Sequence, residues 1–567
     1  MKLGTGGGIR RRLVPLAVVA VAAIVVAACG SSGSSKAGST GSTGSTGSSG
    51  TPKSGGTLVI GAEQEPDCAD WIGSCAGSSW GYWMMNPATI PHVYLATPQN
   101  TYQLGAVMAK DPVLSAGPPQ TVTYTINPNA KWSDGQPITS ADIQYTWDQI
   151  AHGQNIYSTV GYQYISEIQT PNPTTAVAVF SKPFADWKDL FGSDNFGILP
   201  SHILKGQDRD ALMKNGYSWS GGPWIIQAWQ KGQSITLVPN PNYWGQKPYL
   251  SKVVFQIISD TSAEAQDYKT GQFQMIYPQP QVTLADTVKA IPNSNFKVFN
   301  SLDYEGIWFN VTKAPLDDVR VRQALAYATD RNTIVSQLFG PIDPTLKPLQ
   351  SSIPPSNAQY AVTPYAKYSL DLNKVTQLMT SAGWTKGPDG IWAKGGQPAT
   401  IQIKSTAGNN RRALMEQILQ SQWKAAGFNL TIQNEAAGTL FGEDLPSGNF
   451  QAGIYAQVPS SPDPGQCTIW CSANIPGPTN QNSGQNWDRI NDPSLDNTWG
   501  PADTELNASK RTDLVKAGQN ALGNLVPFIP IDPLPDVLVW SSKIKGPVAD
   551  DDTTGAFWNM NYWWLSS

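Results

Sequence analysis

Gly77-Ser78-Ser79-Trp80-Gly81 has the G-x-S-x-G spacing in which a serine stands on a sharp strand-to-helix turn and attacks an acyl carbon. That chemistry needs an apolar strand before the serine. Here a cysteine-containing loop precedes it, and Pro87 and Pro91 interrupt the segment that follows. A motif outside its structural setting does not make a hydrolase. Carboxylate pairs for glycoside hydrolysis have no distinguishing spacing among 42 acidic residues. The glycine-rich turn leading into Lys and Ser or Thr that cradles phosphates is absent, so nucleotide hydrolysis falls to another polypeptide. His92, His152 and His202 are far apart and no CxxC occurs, so neither a metal nor a cofactor is expected. Beyond Cys29 the cysteines form two close pairs, Cys68 with Cys75 and Cys467 with Cys471, an even count that suggests local disulfides in an exported chain.

Export is expected from the amino terminus. Arg10, Arg11 and Arg12 precede an apolar run over 13–28 that ends at Cys29, the pattern of a signal peptide over 1–28. The run is shorter than the roughly 20 residues of a spanning helix. Val26-Ala27-Ala28-Cys29 resembles a bacterial lipobox, which places diacylglycerol on the Cys29 sulfur and the protein on the outer side of the cell membrane. Residues 29–56 are mostly Gly, Ser and Thr, too polar to offset their own ordering entropy, and read as a tether. With 38 basic against 42 acidic residues there is no excess of positive charge for a phosphate backbone, and nucleic acid is excluded as a partner. At 567 residues and 40% hydrophobic, the chain has ample material for several cores.

The elements that must position any site follow from pattern. Residues 224–229 and 234–239 flank Lys231-Gly232 and predict a hairpin. Asn240-Pro241 stops it, a third strand covers 253–258, and a helix runs from Ser262 to Gly271. Between 97 and 217 strand alternation at 121–126, a capping box of Thr139 with Asp142, and strands near 164–168 and 176–180 predict a small α+β unit. Residues 305–311 read as a strand. A helix carrying Val321, Ala324, Leu325 and Ala328 on its apolar face follows, with Arg320, Arg322 and Arg331 elsewhere on its surface. Strand 400–404, helix 411–426 and strand 429–433 form a βαβ unit. A last helix over 509–525 runs into prolines that favour an edge or crossing strand, and the aromatic carboxyl terminus is expected to pack.

GGPWII, NPNYWGQKPYLSKVVFQII and YKTGQF together resemble the signature of the family 5 extracellular solute-binding proteins, the peptide and nickel binders of ABC importers. KWSDGQPITSADIQYTW, PLDDVRVRQALAYATDR and AGWTKGPDGIWAKGGQ agree in order and spacing. The resemblance implies an α/β fold, type II periplasmic-binding-protein-like. Lobe I would comprise 57–96, 218–311 and 527–567, lobe II 97–217 and lobe III 312–526. Two hinge crossovers between lobes I and III, near 308–311 and 528–532, would let the halves close on a ligand. Matched motif to motif, the position that takes a peptide ammonium falls on Ser460, just before Asp463-Pro464, and the carboxylate-binding position falls on Lys404. Two tryptophan positions of dipeptide binders fall on Gln457 and Ala437. Tyr82, Trp83 and Trp308 complete the candidate ligand contacts, with Asp463 beside Ser460. The implied role is a monomeric, lipid-anchored, non-enzymatic carrier that delivers peptides or a related small solute to an ABC permease and its ATPase subunits. Oligosaccharides are the alternative ligand, given 21 tryptophans, and a secreted hydrolase is the rival from another class.

Overall fold

The computed structural model describes residues 50–97, 101–192, 196–459, 464–547 and 555–566. Its framework is a sheet of ten strands whose two ends belong to different cores. One end is the expected hairpin, Trp224–Gln230 with Ser234–Pro239, turned at Gly232, which takes φ +70°. Strand Lys252–Ile257 joins it antiparallel and pairs in parallel with Thr57–Ala62. At the other end Thr400–Lys404 and Asn429–Ile432 run parallel, linked by helix Asn410–Ala426 as the βαβ pattern predicts. The Asn409 side chain accepts from Arg412 N (3.0 Å) to cap that helix, and Gly427 ends it at φ +96°.

Two long antiparallel strands join the ends. The first crossing strand is Ser294–Phe309 and the second is Phe528–Ser541. Residues 304–309 also pair with Ala452–Gln457 in the second half, whereas Met275–Ile276 pairs with Val539 and Trp540 in the first. The change of side therefore falls between the pairs Asn300 with Pro535 and Tyr304 with Pro533, where three residues on the first strand face one on the second. This corrects the positions expected from sequence, since 308–311 and 528–532 lie wholly within the second half. It also explains prolines in an interior strand: Pro533 and Pro535 flank a place where the ladder is already broken.

Buried side chains form two large cores on either side of this break. The first includes Trp71, Trp132 and Trp224, and the second Trp308, Trp423, Trp470 and Trp499. A four-stranded antiparallel sheet inserted after the first strand, in the order Val113–Ser115, Thr121–Thr125, Thr175–Phe180, Ile165–Asn172, shares the first core. Its helix, Ser140–His152, starts where expected, with the Asp142 carboxylate accepting from Thr139 N at 2.8 Å. Helix Ser79–Thr89 was not expected. Residues 80–89 are all buried, so no polar face marks the helical period, and Pro87 sits inside the helix. Arg322 and Arg331 are not surface charges either. They are buried, donating to the carbonyls of Leu316 (2.7 Å) and Leu349 (2.6 Å) respectively.

At the carboxyl terminus Phe557 and Trp563 pack into the first core, and Trp563 Nε1 donates to Asn559 Oδ1 at 2.7 Å. Replacing Trp563 by Ala removes a fully buried indole and is expected to cost about 3–5 kcal/mol, read as a lower urea midpoint.

Candidate functional site

A cavity of about 160 Å3 lies at the break between the cores, with room for on the order of ten water-sized groups. Helix Ser79–Thr89 supplies Trp80, Tyr82 and Trp83 to its wall. The crossing strands supply Leu302, Asp303, Leu534 and Asp536, all at or beside the irregular register. From the second half come Gln457, Gln466 and Trp487. The disulfide Cys467–Cys471 (Cα–Cα 4.8 Å) closes the turn Cys467–Trp470, whose Thr468 and Ile469 also line the cavity. Cys68 and Cys75 form the other expected disulfide, Cα–Cα 5.8 Å.

Beside the cavity a buried ionic cluster anchors the second half and reaches the first through Gln279. Arg412 Nε donates to Glu305 Oε1 at 2.9 Å, and Arg411 Nη2 donates both to Glu305 Oε2 and to Gln279 Oε1 (3.0 Å). Burial alone would raise the Glu305 pKa, but the two guanidinium groups outweigh it and hold the carboxyl below its ordinary range. Glu63 and Glu264 have no such pairing. Burial pushes Glu63 up to about 8, against the opposing bond from Gln279 N (3.1 Å). Burial, then the neighbouring Glu63, drives Glu264 upward as well. Burial also raises Asp532 on the second crossing strand.

The inserted unit and the second half also touch directly. Asn155 N donates to Gln481 O (2.9 Å), Thr468 Oγ1 to Ser158 Oγ (3.0 Å) and Ala185 N to Asp503 O (2.7 Å). Arg511 forms an ion pair with Asp186 in the same region.

Of the residues expected to meet a ligand, Tyr82, Trp83 and Gln457 line the cavity together. Trp308 does not. Its indole is fully buried, stacked between Tyr455 (5.0 Å) and Phe528 (4.7 Å), with Nε1 donating to Tyr455 O at 2.8 Å. Lys404 is likewise outside the cavity. Its ammonium lies between Asp444 and Glu435 (3.4 Å), on a strand separated from the first crossing strand by Ala452–Gln457. Ala437 lines a separate groove. Ser460, Asp463 and Cys29 lie outside the described residues. Asp303, Asp536, Arg412 and Gln466 were missed: Asp303 is turned by a strand irregularity, and no local pattern marks the other three as neighbours of a cavity built from segments distant in the chain.

The architecture has close counterparts. The family model for bacterial extracellular solute-binding proteins, family 5, matches residues 106–475. The chain belongs to that family. A putative ABC transporter peptide-binding protein of Brucella ovis is 26% identical over 413 residues, 69% of this chain and 72% of the relative. The dipeptide-binding protein of Escherichia coli is 25% identical over 460 residues, 76% of this chain and 81% of the relative. The solved structure of the oligopeptide-binding protein AppA from Bacillus subtilis, in complex with a nonapeptide, superposes with a TM-score of 0.82 at 20% identity. That match covers 91% of this chain and all of AppA, and establishes the type II periplasmic-binding-protein-like α/β fold. Membership makes the chain an extracytoplasmic binding protein rather than an enzyme. Among the described residues no helix is long and apolar enough to cross a membrane.

Asp186→Asn weakens the ion pair with Arg511 between the inserted unit and the second half and is expected to shift the ligand-free protein toward an open form. A larger radius of gyration in solution scattering would show it, and an unchanged profile would mean that the remaining contacts suffice. Glu63 has a raised pKa, so its contribution to stability is complete below the ordinary value of 4.5 and is lost as pH rises toward about 8. In Glu63→Gln the fall in Tm between about pH 5.5 and about pH 8 should be smaller than in the unaltered protein.

Proposed function

We propose that this chain captures short peptides or a related small solute outside the cell membrane and hands them to an ABC permease powered by separate ATPase subunits. The observation that carries this reading is a polar and aromatic cavity between two cores, with direct contacts between the inserted unit and the second half. A ligand touching both cores stabilises the shut form in proportion to its stronger contacts there. The crossing strands, broken in register beside the cavity, supply the hinge on which lobe III moves against lobes I and II. The names of the Brucella ovis and Escherichia coli relatives support peptides as the class.

Tyr82, Trp83 and Gln457 are the proposed contacts carried over from the sequence, and motif matching adds Ser460 and Asp463 as proposed contacts. Diacylglycerol on Cys29 holds the mature monomer at the membrane, and the Gly/Ser/Thr tether lets the body reach its permease.

Thermal unfolding in the presence of dipeptide and tripeptide pools tests the reading. A ligand at about 100 times its Kd adds about 2.7 kcal/mol of stability, so a clear rise in Tm is expected with the peptides recovered intact. Release of hydrolysis products, or no shift with any peptide, would refute it.

A further inference from the structure

Segments far apart in the chain meet on one face of the first half, where the described residues begin. Gly50 packs on the Trp564 ring, Gly55 N donates to Tyr249 O at 2.8 Å, and Ser251 N donates to Gly56 O at 3.0 Å. Ile544–Lys545 pairs antiparallel with Trp564–Leu565, and Ser566 N reaches back to Lys543 O at 2.8 Å. Asn561 Nδ2 donates to Gln246 O at 3.1 Å, which sets Tyr562 beside the turn that holds Tyr243 and Trp244. Residues 50–57, 241–252, 541–547 and 555–566 therefore share one surface.

The charges in those segments are of one sign. Lys53, Lys247 and Lys543 are exposed, Lys252 and Lys545 are half-buried, and no acidic residue occurs in the four ranges. Lys247, Lys252, Lys543 and Lys545 form no ion pair among the described residues. The chain as a whole has a formal charge of −4, so this face differs in sign from the protein that carries it. Asp550, Asp551 and Asp552 follow Lys545 in the chain and lie outside the described residues. Aromatic rings stand among the lysines: Tyr562 is 51% exposed, and Tyr243, Trp244 and Tyr249 are half-buried. Lysines around Tyr and Trp match the headgroup layer of a bilayer, where ammonium groups meet lipid phosphates and amphipathic rings sit between water and acyl chain.

We propose that this lysine and aromatic face rests on anionic phospholipid of the membrane that holds the anchor, and so sets the orientation of the body. The inference rests on the anchoring proposed at Cys29 and adds a second point of attachment. Residues 30–49 join Cys29 to Gly50 on this face, and a Gly/Ser-rich segment of that length spans about 25 Å as a coil. An attachment at Cys29 therefore pulls on this face. Acyl chains alone hold the chain at the bilayer and leave the body free to turn, whereas the lysines are attracted only while they lie within a Debye length of the lipid phosphates.

Hydrogen exchange read by mass spectrometry tests the surface, on the full chain reconstituted in vesicles of phosphatidylcholine alone or of equal parts phosphatidylcholine and phosphatidylglycerol. The full chain includes the charge of Asp550, Asp551 and Asp552. Residues 243–252 and 541–546 should exchange at least about three-fold more slowly on the anionic vesicles. The difference should vanish in about 0.5 M NaCl, where the Debye length falls to about 4 Å. It should also vanish when Lys247→Gln, Lys252→Gln, Lys543→Gln and Lys545→Gln are combined. Should that variant not fold, Lys247→Glu or Lys543→Glu, each at an exposed side chain, should reduce the protection alone. Equal exchange on both vesicles, protection untouched by salt and by the variants, or protection of a different face would overturn the proposal. Protection that appears only with the permease in the same vesicles would also overturn it and assign the face to a protein partner. Loss of the chain from both kinds of vesicle would remove the anchor along with the surface, while a thermal shift with peptides, in which these lysines take no part, would leave the carrier reading standing.

Discussion

Two guanidinium groups closing on one buried carboxylate fix the helix that reaches from the second half of this molecule to the first. Arg411 and Arg412 stand in the first turn of helix Asn410–Ala426, where the helix dipole disfavours cations. Glu305 on the first crossing strand compensates them, and Gln279, from the first half, takes a further donor of Arg411. Each member is buried, so losing one would strand the others as uncompensated charge. Asn410 extends the tie by donating to Thr261 and Ser262 at the start of helix Thr261–Thr270. Polar contacts therefore join the second-half helix to the first half beside the crossing strands.

The register break between the crossing strands serves two ends. A regular ladder there would alternate side chains evenly above and below the sheet. Three residues facing one interrupt that alternation, turn Leu302 and Asp303 toward the cavity, and leave the backbone free of ladder bonds at the point where the chain changes cores. Pro533 and Pro535, which have no N–H to give, are accommodated for the same reason. The cavity wall and the proposed hinge coincide at one irregularity.

Tryptophan abundance, by contrast, is mostly structural. Trp71, Trp132, Trp224, Trp308, Trp423, Trp470, Trp499 and Trp563 are fully buried in the cores. The four-ring packing of Trp308 with Tyr455, Trp470 and Phe528 shows why a conspicuous aromatic near a crossing strand was misread as a ligand contact. Distance along the chain does not reveal which face of a strand a ring occupies. Lys404 failed for a related reason: motif matching located its strand, but its partners Asp444 and Glu435 come from 31 to 40 residues further on. Tyr82, Trp83 and Gln457 line the cavity because the first turns of their helix and the last residue of their strand reach it.

Motif resemblance pointed to the family, and local chemistry determined the hairpin at Gly232, the capped helices and the two disulfide pairs, since turns, caps and short cysteine loops depend on residues close in sequence. It also placed the βαβ unit within a residue or so of its observed limits. Only the tertiary structure decided that helix Ser79–Thr89 exists, that Arg322 and Arg331 are internal, and that Asp303 and Asp536 face a common space. Those outcomes depend on burial from all sides and on the pairing of strands more than 200 residues apart, and such contacts leave no periodic mark in the chain.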